Sequence, residues 1–270
     1  MIGFIKNELY GFGIKNVAAI PLSFCKVIRP YKLEKCGFKN FDTLSAVIFT
    51  IPYLAPTDEK NVSSYAVARD YHLFCKELFD AIIPKLRQRF RSNNFAGFAD
   101  NSPIDEVRAA AMSGLGIIGD NGLLITHEHS SYVFIGEIIT DAPLTTPEKY
   151  EIRHCEGCGK CSLACPKGEC GECLSEITQK KGELSQSDIN AIKKHGIAWG
   201  CDICSEVCPH TKRAIERGTI YTDIPFFREN LTPKLSKDSI KNMSEEEFCR
   251  RAYSWRKKET ILRNLEILED

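Results

Sequence analysis

Cys155-Glu-Gly-Cys158-Gly-Lys-Cys161-Ser-Leu-Ala-Cys165-Pro166 is the stretch on which the reading of this chain turns. A second, partial run follows, Cys201-Asp-Ile-Cys204-Ser-Glu-Val-Cys208-Pro209. Thiols at two-residue spacing, closed by a further Cys-Pro, form the ligand pattern of cubic iron–sulfur clusters. The proline ends the run, because it neither continues a helix nor donates a backbone N–H. The fourth cysteine of such a run serves the neighbouring cluster. One cluster therefore takes Cys155, Cys158, Cys161 and Cys208. The other takes Cys165, Cys201 and Cys204, with either Cys170 or Cys173 as its fourth ligand. Two clusters held close together make a path for single electrons.

The pattern is that of bacterial two-cluster ferredoxins. Disulfides and structural zinc compete with it. The chain begins MIGFIKNELYG, with no basic segment leading into an apolar one, so no secretory signal is expected and the setting expected is cytoplasmic. Thiols there stay reduced, which disfavours disulfides. Zinc prefers two separated C-x2-C pairs, not a triple run with Cys-Pro twice. Cys25, Cys36, Cys75 and Cys249 are scattered and read as small buried apolar residues.

The 270 residues are 43% hydrophobic and 27% charged, enough for one large domain and a small one. Lys+Arg and Asp+Glu both number 36, so no global field recruits nucleic acid. Two local basic clusters stand out: Lys85 to Arg91, and Arg250, Arg251, Arg256, Lys257 and Lys258. Both read first as solvated helix faces. No apolar run is long enough to span a bilayer, so no membrane partner is expected.

Residues 2–11 read as a short amphipathic helix, and Val17–Leu22 and Ala46–Tyr53 as buried strands. Ser63–Phe90 has the apolar spacing of one long helix, which Pro84 should kink or divide. Phe95–Phe98 is a short strand, and Pro103 is suited to the first turn of a helix running to about Ser113. Leu123–Thr126 and Tyr132–Thr140 are strands. Ser187–His195 is a helix stopped by Gly196, Ser244 to Glu247 is a capping box, and Arg256–Leu268 is a last helix. The expected fold class is α/β (α+β). Its parts are an α/β domain over 1–148, a two-cluster ferredoxin-like domain over 149–215, and a helical tail over 216–270.

A ferredoxin module alone is far shorter, so a substrate or second cofactor belongs to the first domain. Its densest signal is Gly114, Gly116, Gly119 and Gly122, directly after the Pro103 helix. Glycines there allow positive φ and close approach to a ligand, or simply close a helix–strand turn. They follow a helix instead of opening one, which rules out a nicotinamide fingerprint.

The stretch Asp100-x-x-Pro103, Gly114-Leu-Gly-Ile-Ile-Gly119 and Leu123-Leu-Ile125 resembles the epoxyqueuosine reductase family. So do Tyr65 to His72, Tyr132 to Asp141, Cys173-Leu-Ser-Glu-Ile-Thr178, and Gly200 to Pro209. The resemblance spans about residues 60–270. It implies two 4Fe–4S clusters, cobalamin, and reduction of epoxyqueuosine in tRNA to queuosine. It also selects Cys173 over Cys170, so that cluster two is Cys165, Cys173, Cys201 and Cys204.

In the family's chemistry, single electrons from a low-potential donor such as ferredoxin or flavodoxin reach cobalamin, and Asp100 matches the proton donor. A leaving epoxide oxygen needs that proton, and burial would have to raise the acid's pKa. Read without the family, Asp100 is an N-cap for the helix near Pro103. The resemblance places Asp120, Asn121, Gly122, Ser175 and Asp202 near the corrin, together with Asp100. Two departures follow. Only seven residues separate Cys165 from Cys173, fewer than the family has. The chain stops at Asp270, where many members continue into helical repeats that hold tRNA. The expectation is a short form whose one basic candidate for tRNA is Arg250–Lys258.

Overall fold

A computed structural model describes residues 1–144 and 150–269, apart from the side chains of Glu169 and Cys170. The chain forms two compact units. The first comprises Met1–Pro52 and Phe74–Cys158, and the second Tyr53–Leu73 and Gly159–Asp270.

The first unit is built on a sheet with strands β1 (Val17–Pro21), β2 (Ser45–Pro52), β3 (Phe95–Ala99) and β6 (Val133–Thr140). Two short strands, β4 (Ile117–Ile118) and β5 (Leu124–Ile125), form a separate hairpin. The sheet order is β1-β2-β6-β3, and every pairing is antiparallel. Helices α1 (Ile2–Tyr10), α2 (Pro30–Lys35), α3 (Tyr71–Arg89) and α4 (Glu106–Met112) complete it.

Every residue of β2 is buried because both faces of the sheet are covered. Ala46 and Ile48 join one core with Ile135, Ile139 and the Ala109–Ala111 stripe of α4. Phe49 points the other way, and its ring meets Phe79 of α3 edge-on at 6.4 Å. The continuous apolar run in the sequence is therefore that of a central strand, and the unit is an α/β layered one.

The second unit is helical: α5 (Lys160–Ala164), α6 (Lys167–Cys170), α7 (Leu174–Thr178), α8 (Gln186–His195), α9 (Ile203–Glu206), α10 (Pro209–Glu216), α11 (Lys237–Asn242), α12 (Glu245–Cys249) and α13 (Lys257–Glu269). Its main core gathers Val62, Trp199, Phe248, Tyr253, Ile261 and Leu265. α8 has the expected start and stop, a Ser185–Asp188 capping box and Gly196 at φ 64°. Ser244 caps α12 by accepting from the Glu247 N–H.

Four expectations need correction. The helix expected from Ser63 begins at Tyr71, and Ser64–Ala66 is a 3-10 turn. Tertiary bonds override the helical spacing here: Ser63 N–H donates to the Trp199 carbonyl at 2.7 Å, and Ala198 N–H to the Asn61 carbonyl at 2.7 Å. Pro84 does not divide α3, where it lies on the exposed face. The helix after Pro103 begins only at Glu106, capped by Asp105. Cys75 is buried, but Cys249 is exposed, and Cys25 and Cys36 are half-buried. Among the described residues no helix is long and apolar enough to cross a membrane.

One polar residue ties the second unit together. Asn264 of α13 is fully buried, and its amide donates to the Thr178 carbonyl at 2.6 Å and the Ala198 carbonyl at 2.8 Å. Asn264→Leu would strand two buried carbonyls, each worth about 1–3 kcal/mol. We expect urea denaturation to show a loss of roughly 2–4 kcal/mol; an unchanged midpoint would contradict this role.

Candidate active site

Asp100 follows β3, exposed, with a left-handed φ of 60°. It is not the N-cap of α4, since Asp105 holds that place and accepts from the Arg108 N–H at 3.2 Å. The loop between them is stapled from the segment before α2. Ile28 N–H donates to the Pro103 carbonyl at 2.8 Å, Asp105 N–H to the Lys26 carbonyl at 2.9 Å, and the Arg29 guanidinium to the Ser102 carbonyl at 2.8 Å. Ser102 is buried, and its hydroxyl donates to Glu137 while accepting from the Ile104 N–H at 3.0 Å.

Glu137 is fully buried at the centre of β6, opposite Ile48 on one side and Phe98 on the other. One of its carboxyl oxygens takes Ser102, and the other is enclosed without a partner. Burial raises its pKa well above the usual carboxylate range, and the nearby Glu106 adds to the rise. Burial likewise pushes Glu106 up to about 8, with Asp100 and Asp105 raising it and Arg29 lowering it. Cys25, beside Glu137, is pushed up to about 12 by burial and then by that carboxyl, so it stays a thiol. Asp100 is exposed, and its charge and that of Asp105 act on Glu106, which in turn acts on Glu137. The reading from sequence found Asp100 but not Glu106 or Glu137. The available signal was an acid inside the apolar run Val133–Thr140.

The hairpin tip Asp120-Asn121-Gly122 is also in the first unit. Gly119 N–H donates to the Leu123 carbonyl at 2.9 Å, and the Asn121 amide oxygen accepts from the Leu123 N–H at 3.2 Å. The close approach made by Gly116 and Gly119 is to the chain itself. A Cβ at Gly116 would lie 2.6 Å from the Ile125 carbonyl oxygen, and one at Gly119 2.8 Å from the Ile125 side chain. Asp120 N–H points at Cys155 Sγ, 3.4 Å away, the kind of contact that tunes a cluster sulfur. Cys158 is exposed at the end of this unit.

Cys161, Cys165, Cys173, Cys201, Cys204 and Cys208 belong to the second unit. Cys161 lies in α5, and Cys165 ends it. Cys173 caps α7, Cys204 lies in α9, and Cys208 caps α10 with Pro209 in its first turn. The Cys-Pro steps therefore start new helices. α5 packs on α9. Burial pushes the Cys201 thiol up to about 12, with Cys173, Asp202 and Cys204 adding to it. Cys173 and Cys204 lie near enough to Cys201 to act on its thiol, yet among the described residues no group of three or more His, Cys, Asp or Glu side chains is placed to hold a metal ion. Cys170 falls among the side chains outside the described residues.

Asp202, between two of these cysteines, is buried and heavily bonded. One oxygen accepts from Ser63 Oγ at 2.5 Å. The other accepts from Ser64 N–H at 2.6 Å, Ser64 Oγ at 2.7 Å and Lys60 Nζ at 2.5 Å. Burial lowers the Lys60 pKa, but Asp202 and Glu206 more than reverse that, leaving it raised. The half-buried Ser175 hydroxyl accepts from Gln179 at 3.0 Å. Three cations of the basic stretch Arg250–Lys258 are paired with the acids of α12. Arg250 meets Glu246 at 2.7 Å, Arg251 meets Glu247 at 3.1 Å, and Lys258 meets Glu245 at 2.7 Å.

An antiparallel α/β layered unit with buried acids, followed by a helical unit rich in cysteine, defines the class. The chain is 31% identical over 255 residues to an epoxyqueuosine reductase of Listeria monocytogenes, covering 86% of this chain and 64% of that protein. It is 31% identical over 196 residues to that of Synechocystis, covering 69% and 66%. It therefore spans less than two thirds of either relative's length. No family model matches it. A crystal structure of epoxyqueuosine reductase with an epoxyqueuosine-modified tRNA-Tyr stem loop superposes with a TM-score of 0.76 at 23% identity, covering 99% of this chain and 81% of that one. The Streptococcus thermophilus enzyme gives 0.75 at 21%, covering 99% and 80%. The Bacillus subtilis enzyme, seen with an aspartate-bearing catalytic loop swung out of its active site, gives 0.73 at 22%, covering 99% and 82%. The chain is a homologue of the epoxyqueuosine reductases over most of its length.

Two predictions follow from the geometry. Asp202→Ala removes the acceptor of four donors and should cost roughly 2–4 kcal/mol of stability in thermal unfolding; a loss within error would show those bonds to be idle. Glu106 holds its proton in the folded chain up to about pH 8, while an unfolded glutamate releases it near pH 4–5. Between these values the unfolded state binds fewer protons, so stability falls as pH rises, by roughly 5 kcal/mol in all. Glu106→Gln has no proton to lose, so its melting temperature should drop less than wild type's from pH 5 to pH 8. Parallel pH profiles would show that Glu106 ionises normally.

Proposed function

We propose that this chain is an iron–sulfur and cobalamin-dependent oxidoreductase of the cytoplasm that reduces epoxyqueuosine in tRNA to queuosine. The observation that carries it is kinship over 86% of the chain to a protein of that activity. The tRNA stem loop bound by the similar structure supports the substrate.

In this reading residues 149–215 form the ferredoxin-like part. Cys155, Cys158, Cys161 and Cys208 hold one 4Fe–4S cluster, and Cys165, Cys173, Cys201 and Cys204 hold the other. Cobalamin, when bound, would supply the strongly reducing cobalt centre that the reduction needs. A low-potential carrier such as ferredoxin or flavodoxin delivers the electrons. Asp100, exposed on its stapled loop, gives its proton to the epoxide oxygen. Asp120, Asn121, Gly122 and Ser175 are the residues that would contribute polar groups to bind cobalamin. Asp202 acts by fixing residues 60–64 against the cysteine loop. Asp120 N–H steadies the Cys155 thiolate.

A second reading keeps the cofactors but changes the substrate. The internal pairing of Arg250, Arg251 and Lys258 favours it, because phosphate neutralisation needs free basic groups.

The test is anaerobic reconstitution with iron, sulfide and cobalamin, followed by incubation with an epoxyqueuosine-containing stem loop and a strong reductant. We expect about eight irons and one cobalt per chain, and conversion to queuosine. Asp100→Asn should retain both metals and lose about 10²–10⁴-fold in rate. Full metal loading without conversion would favour the second reading. Iron without retained cobalamin would overturn both.

A further inference from the structure

Arg69, in the second unit, is half-buried, and its guanidinium stacks on the ring of the buried Phe226, with Cζ 4.2 Å from the ring centroid. Its Nε is sealed from solvent, and no carbonyl or carboxylate among the described residues accepts from the guanidinium. A desolvated donor without an acceptor is costly to keep. Stacking on a ring fixes the plane of a guanidinium and leaves the donors along its edge to an outside group.

Arg69 lines a cavity of about 280 Å³ together with Asn230, Ser244 and the turn that carries Glu246, Glu247, Arg250 and Arg251. The backbone around it is pinned within the one unit. Arg69 and Arg251 form an antiparallel bridge, the Asp70 N–H donates to the Arg250 carbonyl at 2.7 Å, and the Thr232 N–H donates to the Val67 carbonyl at 2.8 Å. Arg251, only 3% exposed, is part of the wall and not a free cation: it donates to the Asn230 carbonyl at 2.6 Å and to Glu247 at 3.1 Å. Ser244 Oγ accepts from the Glu247 N–H at 3.1 Å, which leaves its own hydrogen to donate. Arg250 meets Glu246 at 2.7 Å, but both side chains are more than half exposed, so that pair is weak and can open.

Three guanidiniums and two carboxylates leave the lining one positive charge in excess. The described residues that line it include no aliphatic or aromatic side chain, so a ligand with an apolar body gains nothing there. A guanidinium fork suits a compact oxyanion that accepts two parallel hydrogen bonds.

We propose that this cavity is a phosphate subsite, in which Arg69 binds one phosphate group bidentately and Ser244 and Arg250 add donors. The group is either a phosphodiester of an RNA backbone or a free phosphate. The cation that the basic tail lacks is thus supplied by Arg69, from outside it. The site does not depend on the reaction proposed above.

The experiment uses the reconstituted full chain, titrated calorimetrically with inorganic phosphate at constant ionic strength. Wild type should bind one phosphate per chain. Arg69→Gln should weaken that binding at least roughly tenfold, and Arg69→Lys, which keeps the charge and loses the fork, should fall between. Glu246→Gln, at an exposed position, removes a competing acceptor and should tighten phosphate binding roughly threefold or more, a gain that a damaged fold cannot imitate. An unmodified RNA stem loop then separates the sources. If Arg69→Gln also weakens the stem loop and lowers the slope of log affinity against log salt by about 0.7–0.9, the group is a backbone phosphate. If phosphate binding alone is lost, it is a free phosphate. No saturable phosphate binding by wild type, or equal binding by wild type, Arg69→Gln and Glu246→Gln, would overturn the site.

Discussion

Glu137 is the constraint on which the first unit depends. It sits on the face of β6 that also carries Ile135 and Ile139, inside the core that packs on α4. A charge there would cost far more than the fold can supply, so the carboxyl is neutral and hydrogen-bonded. Its bond from Ser102 sets the path of the loop, and the Arg29 and Pro103 contacts close it. Asp100 is left in a left-handed conformation, which costs a non-glycine residue about 1 kcal/mol or more. Strain of that kind persists only where surrounding bonds over-determine it. A buried acid in the sheet and a strained acid at the surface are therefore two ends of one arrangement.

The second unit meets a different difficulty. The helices that carry cysteines are short, and α5 buries none of its residues. Such loops have little apolar area with which to hold a shape. Polar bonds from outside the cysteine run do the holding. Asp202 ties the run to Ser63 and Ser64, and Asn264 ties the flanking loops to α13. The residues 53–73, which the sequence sets among the strands and helices of the first unit, are drawn into the second by those bonds. In the proposed reading the clusters add the remaining order, since ligand binding to thiolates is itself folding free energy.

Much of this was legible in the sequence. The two strands flanking β2 and β6, the helix ended by Gly196, and the cysteine runs all follow from local rules of period, capping and spacing. What was not legible depended on long-range bonds. Ser63 to Ala66 carries helical spacing, yet its N–H groups are claimed by Trp199 and Asp202, far away in sequence. Pro103 suits a first turn, yet the Asp105 cap three residues from Arg108 wins. Gly116 and Gly119 looked available to a ligand, yet β5 fills the space they leave. Glu137 was visible as a letter but not as a buried group, because nothing local distinguishes an acid on a central strand from one at an edge.

Burial acts on the carboxyls of the first unit and on a thiol of the second in the same direction, and the chemistry divides them. It raises the proton affinity of Cys201 and of Glu106 and Glu137 alike. A thiol in that state is inert until a metal displaces its proton, and coordination then removes the proton outright. A carboxyl in that state has no such partner and keeps its proton across neutral pH. Desolvation thus leaves a buried thiol dependent on a metal to displace its proton and a buried carboxyl simply neutral, which is the chemical difference between the buried groups of the two units.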